Sequence, residues 1–147
     1  MTQNVKPLIV ITGASSGIGL ATAKLLSARG HALLLLARRI DRMTALNLPN
    51  ALCRAVDVTD RHAFTTAVQD AEQQFGPVDA LINNAGVMLL GAIEQQDAGE
   101  WDKMFDVNVK GLLNGVQAVT AGMIDRKRGT IINISSVAGR KTFPNHA

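Results

Sequence analysis

The residues best suited to chemistry form a glycine-rich turn at positions 12–19, which reads T-G-A-S-S-G-I-G. The turn follows an apolar run at 8–11 and precedes a helical pattern. Glycines at Gly13, Gly17 and Gly19 permit backbone angles closed to other residues and let a ligand approach the main chain. The free N–H groups of the following helix favour an anion, so the turn predicts a phosphate site, although ordinary tight turns also use small residues.

Four further segments follow short apolar runs in the same way, so each lies at the end of a predicted strand. The strands are predicted at 8–12, 32–37, 52–56, 80–83 and 130–135, with helices between them. The segments after the second to fifth strands begin R-R, D-V-T-D, N-N-A-G and S-S-V-A-G. Strands joined by helical crossovers form a parallel sheet covered on both faces, whose carboxyl ends share one edge. All five segments are therefore expected at one ligand site.

The composition predicts one folded domain without membrane association. Of 147 residues, 47% are apolar and 18% charged. The apolar stretch 32–37 is too short to cross a bilayer, and no basic region followed by a hydrophobic segment opens the chain. A single cysteine, Cys53, excludes an internal disulfide and suits a reducing cytoplasm, where we expect the protein. No metal site is expected, because the histidines His31, His62 and His146 lie far apart in sequence.

The net charge of +3 does not predict a nucleic-acid partner, because the basic residues are scattered in small groups. The group 126–128 lies where a long helix is expected to end, and complementing the helix dipole explains it.

Five motifs occur in a fixed order along the chain. They are T-G-x-x-x-G-x-G at 12–19, D-V at 57–58, N-N-A-G at 83–86, N-V-x-G at 108–111 and I-S-S-V-A-G at 134–139. Together they resemble the short-chain dehydrogenase/reductase family of NAD(P)-dependent oxidoreductases. The fold expected is α/β, a Rossmann-type doubly wound parallel sheet in strand order 3-2-1-4-5 with helices on both faces. The resemblance implies one NAD(P)-binding domain over 1–147, truncated at its C-terminal end.

The resemblance implies a cofactor site made from the strand ends. Many NAD enzymes carry an acid after the second strand, whereas this chain has Arg38 and Arg39, whose guanidinium groups can bind a 2′-phosphate. NADP is therefore expected, with NAD less favoured; the alternative is a solvated helix start in which Asp41 partners either arginine. The cofactor-binding residues implied are Gly13, Ser15, Ser16, Gly17, Ile18, Gly19, Arg38, Arg39, Asp57, Val58, Asn84, Ala85 and Gly86.

Within that set, Asp57 would meet the adenine amino group and Val58 would be its apolar neighbour. The alternative for Asp57 is a helix N-cap, a role that fits Asp60 better. Thr12 and Asn83 are expected to be structural, with Asn83 tying neighbouring strands together.

The catalytic residues implied are Asn108 and Ser136. Asn108 lies within a helix predicted over 101–126 and would sustain a water-linked proton path; the alternative is a solvent-facing amide. Ser136 would hydrogen-bond the substrate oxygen and stabilise developing charge, with Ser135 as the alternative.

The tyrosine of the family's Tyr-x-x-x-Lys segment is absent, since the chain contains no tyrosine. In the family that tyrosine transfers the proton while hydride passes to or from the nicotinamide, and the lysine lowers a phenol pKa that is otherwise near ~10. Its expected position falls just past Ala147, and His146 is not expected to replace it. We expect an NADP-dependent oxidoreductase that interconverts a carbonyl and an alcohol, inactive without residues beyond 147. The alternative is a non-catalytic NADP-binding module or an inactive fragment.

The resemblance also implies a homodimer or homotetramer formed through the helix 101–126. A stripe of small residues on that helix suits close packing, either against a copy or against the chain's own sheet: Gly111, Gly115, Ala118 and Gly122. If the chain ends at 147, the strand at 130–135 is expected to leave an uncovered apolar edge. The segment 87–90 is apolar and is either a wall of the substrate site or plain core.

Overall fold

The computed structural model describes residues 6–146, which fold into an alternating series of strands and helices. The strands are β1 (Lys6–Thr12), β2 (His31–Ala37), β3 (Ala51–Ala55), β4 (Val78–Asn83) and β5 (Thr130–Asn133). The helices are α1 (Gly17–Ala28), α2 (Ile40–Thr44), α3 (Arg61–Phe75), α4 (Ala98–Phe105) and α5 (Leu112–Arg126). A π-helical segment, Asp106–Gly111, joins α4 to α5, and a 3-10 turn, Val137–Gly139, follows β5.

The five strands form one parallel sheet in the order β3-β2-β1-β4-β5. Val10 of β1 lies in register with Leu34 of β2 on one side and Leu81 of β4 on the other. The order reverses at β1, where the chain moves from β3 back to β4, and ligands of such sheets bind beyond the carboxyl ends near that point. The predicted fold class and strand order are both confirmed.

Helices cover both faces of the sheet centre, which explains why β2 is a continuous apolar run rather than an alternating one. On one face, Phe64 of α3 and Val119 of α5 pack with Leu34 in a single buried cluster. On the other face, Ala23 of α1 and Met43 of α2 belong to a second buried cluster. The carboxyl ends of β1 and β2 are therefore held rigidly from both sides.

Side-chain caps fix where two helices begin. Asp60 Oδ1 accepts a hydrogen bond from Ala63 N at 2.9 Å at the start of α3, the capping role favoured for it from the sequence. Asp97 Oδ1 accepts one from Gly99 N at 2.7 Å at the start of α4. Each cap places the preceding loop, and both loops border the candidate site.

The basic group 126–128 sits at the end of α5, as the sequence predicted. Arg126 Nη2 donates to Val78 O at 2.8 Å, and Arg128 Nε lies 2.8 Å from Asp79 Oδ1. Lys127 ends the helix in a left-handed conformation with φ 53°. The two arginines thus tie the end of α5 to the start of β4.

The expectation of one regular helix over 101–126 was wrong in two respects. The helical stretch begins at Ala98, and its ladder widens into the π-helical segment Asp106–Gly111 before α5. Asn108 lies in the middle of this segment, and its side chain bonds to Val87 of the loop after β4. Single turns of π-helix inside an α-helix are frequent at functional sites.

Three members of the small-residue stripe, Gly111, Gly115 and Ala118, pack inside the chain, the alternative that the sequence left open, whereas Gly122 lies against Arg126 of its own helix. A Cβ at Gly115 would lie 2.6 Å from Asn83 Oδ1 and 3.0 Å from Phe64 Cζ. A Cβ at Gly111 would lie 2.5 Å from Val58 Cγ2. Both glycines therefore allow the π-helical segment and α5 to approach the sheet closely, and they are not free to meet a second copy.

β5 is shorter than predicted and ends at Asn133, although Ile134 N still donates to Asn83 O at 2.9 Å. Ser135 consequently lies beyond the strand rather than at its last position, and Ser136 lies beyond the strand as predicted. No helix within residues 6–146 is both long and apolar enough to cross a membrane.

Candidate functional site

Three glycines shape the turn after β1 in two different ways. Gly13 and Gly17 have φ values of +66° and +53°, in the left-handed region that favours glycine. Gly19 has ordinary backbone angles, but a Cβ there would overlap the carbonyl oxygen of Gly13. Gly13 and Gly17 therefore set the path of the turn, while Gly19 lets α1 lie directly against it, so the amino end of α1 faces the carboxyl edge of the sheet.

Thr12 and Asn84 tie the ends of β1 and β4 together. Thr12 is 1% exposed, and its Oγ1 accepts hydrogen bonds from Asn84 N at 3.0 Å and Ala85 N at 2.9 Å. Asn84 Nδ2 donates to Thr12 O at 3.1 Å and to Gly13 O at 3.4 Å. The two strand ends thus form one hydrogen-bonded unit, and Thr12 has the structural role expected of it.

A cavity of about 200 Å³, the first cleft, lies over the carboxyl ends of β1, β2, β3 and β4. It brings together ten of the thirteen predicted cofactor-binding residues: Gly13, Ser15, Ser16, Arg38, Arg39, Asp57, Val58, Asn84, Ala85 and Gly86. Gly17, Ile18 and Gly19 do not line it, because they already belong to α1, where Gly19 is buried and Ile18 is exposed.

Apart from Val58 and Ala85, the predicted cofactor-binding set left out the apolar lining of the first cleft. Leu36, Ala37, Val56, Val87 and Val107 also line it. Three of them are the last apolar residues of the runs that form β2 and β3, so the ends of those runs were a usable signal. Val107 had no such signal, because its position depends on the π-helical segment.

The rim of the first cleft is positively charged at the end of β2. Arg39 Nη2 donates to Ser16 Oγ at 3.5 Å, so it spans the gap between β2 and the turn after β1. Neither Arg38 nor Arg39 forms an ion pair with Asp41 within residues 6–146. The arrangement offers two guanidinium groups to an anion at this end of the cleft.

Asp57, across the first cleft, is held by its own loop. Its Oδ1 accepts hydrogen bonds from Thr59 N at 3.0 Å and from Thr59 Oγ1 at 2.8 Å. The backbone N–H of Thr59 is the main reason that the pKa of Asp57 lies below its ordinary value; partial burial opposes this, and the Thr59 hydroxyl and the Arg38 charge add to it. Asp57 therefore presents a carboxylate fixed in place, as a hydrogen-bond acceptor for an amino group.

A second, larger cleft of about 650 Å³ continues from the first toward β5. The two share the segment 84–87, which follows β4 and forms the wall between them. The second cleft is lined by both predicted catalytic residues, Asn108 and Ser136, and also by Ser135. Met88, Leu90 and Met104 give its outer part an apolar wall.

Asn108 holds the wall between the clefts. Its Oδ1 accepts a hydrogen bond from Val87 N at 2.8 Å, and its Nδ2 donates to Val87 O at 2.8 Å. This pair of bonds connects the π-helical segment with the backbone directly after the N-N-A-G motif. Both polar atoms of the Asn108 amide therefore bond to the main chain, which differs from the alternative of a solvent-facing amide.

Ser136 lines the second cleft from the segment after β5. Its Oγ accepts a hydrogen bond from Ala138 N at 3.1 Å and so caps the 3-10 turn Val137–Gly139. A serine hydroxyl that accepts one bond still has its own proton to donate. Ser136 can therefore donate that proton to an oxygen of a molecule in the cleft.

Asn83 joins β4 to β5, the structural role predicted for it. Its Nδ2 donates to Asn133 Oδ1 at 3.0 Å and, more weakly, to Leu112 O at 3.4 Å. Its buried Oδ1 has no hydrogen-bond partner within the described part of the chain. The bonds fix the spacing of the two strands whose ends carry the segment 84–87 and Ser136.

The donor set of the connected clefts fits an extended ligand with phosphate groups at one end. Backbone N–H groups and hydroxyls at the turn, guanidinium groups at β2 and an acceptor at Asp57 are the features of a dinucleotide site in an open α/β sheet. Among residues 6–146, no three His, Cys, Asp or Glu side chains cluster as metal ligands. Fold and site together define the class of nucleotide-binding α/β proteins.

Comparison with known proteins identifies the family. The family model described as short chain dehydrogenase matches residues 7–147, and the chain therefore belongs to the short-chain dehydrogenase/reductase family of oxidoreductases. A curated relative, an uncharacterized oxidoreductase of Staphylococcus saprophyticus, is 44% identical over 150 residues, covering 99% of this chain and 61% of the relative. The chain thus spans about three fifths of the length of that relative.

Two solved structures show the same fold. LigO from a Sphingobium strain, in its apo form, matches with a TM-score of 0.90 and 35% identity, covering 99% of this chain and 57% of LigO. A closed form of serine dehydrogenase complexed with NADP+ matches with a TM-score of 0.89 and 30% identity, covering 94% of this chain and 57% of the enzyme.

Proposed function

We propose that this chain is the cofactor-binding part of an NADP-dependent oxidoreductase that interconverts a carbonyl and an alcohol by hydride transfer. The observation that carries the proposal is the continuity of the two clefts through the segment 84–87, with Arg38 at one end and Ser136 at the other. Family membership and the NADP+ carried by the similar serine dehydrogenase structure support it.

The proposed cofactor contacts follow the first cleft. Backbone N–H groups from Ser16 to Gly19, with the Ser15 and Ser16 hydroxyls, would hold the pyrophosphate at the amino end of α1, where the helix dipole favours negative charge. Asp57 would accept from the adenine amino group beside Val58. Asn84, Ala85 and Gly86 would line the cofactor at the wall between the clefts. When bound, NADP(H) would supply or accept the hydride.

We favour NADP over NAD because of the charge at the end of β2. A 2′-phosphate is stabilised by nearby cations and repelled by a carboxylate. Many NAD enzymes carry an acid after the second strand, whereas this chain has Arg38 and Arg39 there. Arg39 is partly engaged with Ser16, so Arg38 is the better candidate for the direct contact. A guanidinium can bind a phosphate through two parallel hydrogen bonds.

In the second cleft, Ser136 would donate its hydroxyl proton to the substrate oxygen and stabilise the negative charge that develops there. Asn108 would keep the segment 84–87 in place and sustain a water-linked proton path. We propose that the transferred proton comes from a Tyr-x-x-x-Lys segment beyond residue 147, without which these residues alone are inactive. An intact mass well above 15.6 kDa for the natural protein would agree with this.

The test is carbonyl-dependent NADPH oxidation by the full-length protein. Ser136→Ala should lower kcat/KM about 100-fold, because the hydrogen bond to the developing oxyanion is lost. Ser135→Ala, a neighbouring serine that lines the same cleft, is the matched control and should retain activity. Tight NADPH binding without turnover on a broad carbonyl panel would instead support a non-catalytic NADP-binding module.

We also propose a homodimer or homotetramer through the outer face of α4, the π-helical segment and α5. Phe105, Val109 and Leu113 are exposed there at helical spacing, on a different face from Gly111 and Gly115. Sedimentation velocity should show a dimer or larger species that Val109→Glu shifts toward monomer. An unchanged assembly would contradict the use of this face.

The proposed location is the cytoplasm. Cys53 is a free cysteine, and burial raises the pKa of its thiol, with the nearby Arg54 opposing part of the shift. A protonated, partly buried thiol is unreactive and suits a reducing compartment. Cell fractionation that finds the protein in a membrane or secreted fraction would contradict this.

A further inference from the structure

The loop that walls the second cleft is fixed at Leu89 by side chains from outside the loop. Gln96 Nε2 donates a hydrogen bond to Leu89 O at 2.7 Å, and Trp101 Nε1 donates one to Gln96 Oε1 at 3.0 Å. On its other side, Leu89 N donates to Met104 Sδ at 3.5 Å. Both backbone groups of Leu89 are therefore bound by residues of, or next to, α4.

Gln96 is the central member of this chain of bonds. Its amide accepts from Trp101 and donates to Leu89 at the same time, which a carboxylate or an alkyl side chain at the same position cannot do. The loop also packs against the Gln96 side chain, since a Cβ at Gly91 would lie 3.5 Å from Gln96 Cβ. Asp97, the next residue, caps α4 and so fixes Gln96 relative to the helix.

The exposure of the loop residues alternates in a way that matches these bonds. Val87 and Leu89, whose backbones are held by Asn108 and Gln96, are half-buried. Met88 and Leu90 are 54% and 57% exposed and line the second cleft. Fixing the backbone at Val87 and Leu89 therefore sets how far Met88 and Leu90 extend into the cleft.

We propose that Gln96 and Trp101 are positioning residues that hold the wall formed by Met88 and Leu90 and thereby set how long an apolar substituent the carbonyl substrate can carry. The inference rests on the proposed function. Asn108 fixes the loop at Val87, where it leaves the wall between the clefts, whereas the Gln96 chain fixes it two residues further on, at Leu89. The bonds at Leu89 consequently affect the fit of the substituent more than the reacting carbonyl.

The experiment measures NADPH-dependent reduction of methyl ketones from acetone to 2-octanone by the full-length protein. Gln96→Leu removes both hydrogen bonds at nearly constant volume, and Gln96→Glu keeps the acceptor for Trp101 but loses the donor to Leu89. The exposed neighbour Gln95, whose side chain makes no hydrogen bond within residues 6–146, provides the control variant Gln95→Leu.

We expect both Gln96 variants to change the ratio of KM for 2-octanone to KM for acetone by about tenfold, since small displacements of a substrate wall have large kinetic effects. The NADPH Kd, the kcat for acetone and the sedimentation behaviour should remain close to those of the parent and of Gln95→Leu. Trp101→Phe, which removes the indole N–H donor and one ring but leaves Gln96 in place, should shift the KM ratio in the same direction by a smaller factor.

Two outcomes separate the inference from the function on which it rests. A parent protein that reduces no carbonyl would contradict the proposed function, and the inference with it. An active parent whose KM ratio is unchanged in Gln96→Leu, or changed equally in Gln95→Leu, would contradict the inference alone. An equal loss of kcat for every ketone would also overturn it, because that pattern indicates a general structural role.

Discussion

The two clefts differ in what holds their walls. The first cleft lies over β1 and β2, whose strands are buried on both faces; Leu34, for example, is 0% exposed. The second lies toward β5, an edge strand; Ile132 in β5 is 44% exposed, and Ile134 directly after it is 41% exposed. The first is shaped by backbone turns at the ends of rigid strands, and the second by loops held through a few side-chain hydrogen bonds.

Under the proposed function, this difference would separate cofactor binding from substrate specificity. A phosphate site needs backbone N–H groups in a fixed place, and buried parallel strands provide that rigidity. Loops tolerate sequence change better than buried strands, so the loops fixed by Asn108 and Gln96 can change without disturbing the sheet. The segment 84–87 lines both clefts, so its position affects both the rigid first cleft and the loop-walled second cleft.

The strongest test of this contrast compares core truncations in the two regions. Leu34→Ala in β2 should lower the free energy of unfolding of the 147-residue chain by about 3 kcal/mol, because the cavity it leaves is enclosed between the sheet and the helices α3 and α5. Ile132→Ala in β5 should cost about 1 kcal/mol, since its side chain is already partly in water. Urea denaturation of both variants gives the two values.

Equal losses for these two variants in the 147-residue chain would break the comparison. A larger loss for Ile132→Ala in the full-length protein than in the 147-residue chain would sharpen it instead. That result would show that another segment or another copy covers β5, which is the edge that the sequence already indicated as exposed.

A second test concerns the rigidity of the turn in the first cleft. Gly19→Ala should destabilise the chain by about 3 kcal/mol and abolish NADPH binding, because the new Cβ overlaps the backbone of Gly13. Gly17→Ala is the matched control: it meets no atom within 4 Å and pays only the strain of a left-handed residue, about 1 kcal/mol. Thermal denaturation and NADPH titration distinguish them, and similar effects for the two would show that backbone angles rather than close packing dominate.

The sequence predicted the first cleft more completely than the second. Strand ends after apolar runs, together with glycines and arginines directly behind them, are local signals, and they located Gly13, Arg38, Asp57 and Asn84 in one cavity. Ser136 and Asn108 also line the predicted side of the sheet. Their catalytic roles stay predictions that the kinetic tests above address.

What the sequence did not predict depends on contacts between distant segments. The π-helical segment contains Asn108, which bonds to the distant Val87, and no helical pattern within 101–126 indicates that interruption. The small-residue stripe could not be assigned to a face until Gly115 was found against Phe64 and Asn83. Likewise, the bonds among Leu89, Gln96 and Trp101 link residues that no motif relates.

A third test changes only the charge at the rim of the first cleft. Arg38→Asp should weaken NADPH binding about 100-fold, as expected for losing a charge-assisted contact worth roughly 2–3 kcal/mol. NADH binding should change little, because NADH lacks the 2′-phosphate. Arg42→Asp, an exposed position in α2 that does not line the cleft, reproduces the change in net charge and should leave both affinities nearly unchanged. Isothermal titration with each cofactor measures the four affinities.

The loss of NADPH affinity divided by the loss of NADH affinity distinguishes a direct contact with the 2′-phosphate from a non-specific electrostatic effect. Equal losses for both cofactors in Arg38→Asp would contradict the 2′-phosphate assignment and would place Arg38 near the pyrophosphate instead. The same ratio measured for Arg39→Asp should be smaller, because Arg39 already donates to Ser16 Oγ. If Arg39 gave the larger ratio, the bond to Ser16 would have to yield on binding, and the turn after β1 would be less rigid than the buried strands beneath it.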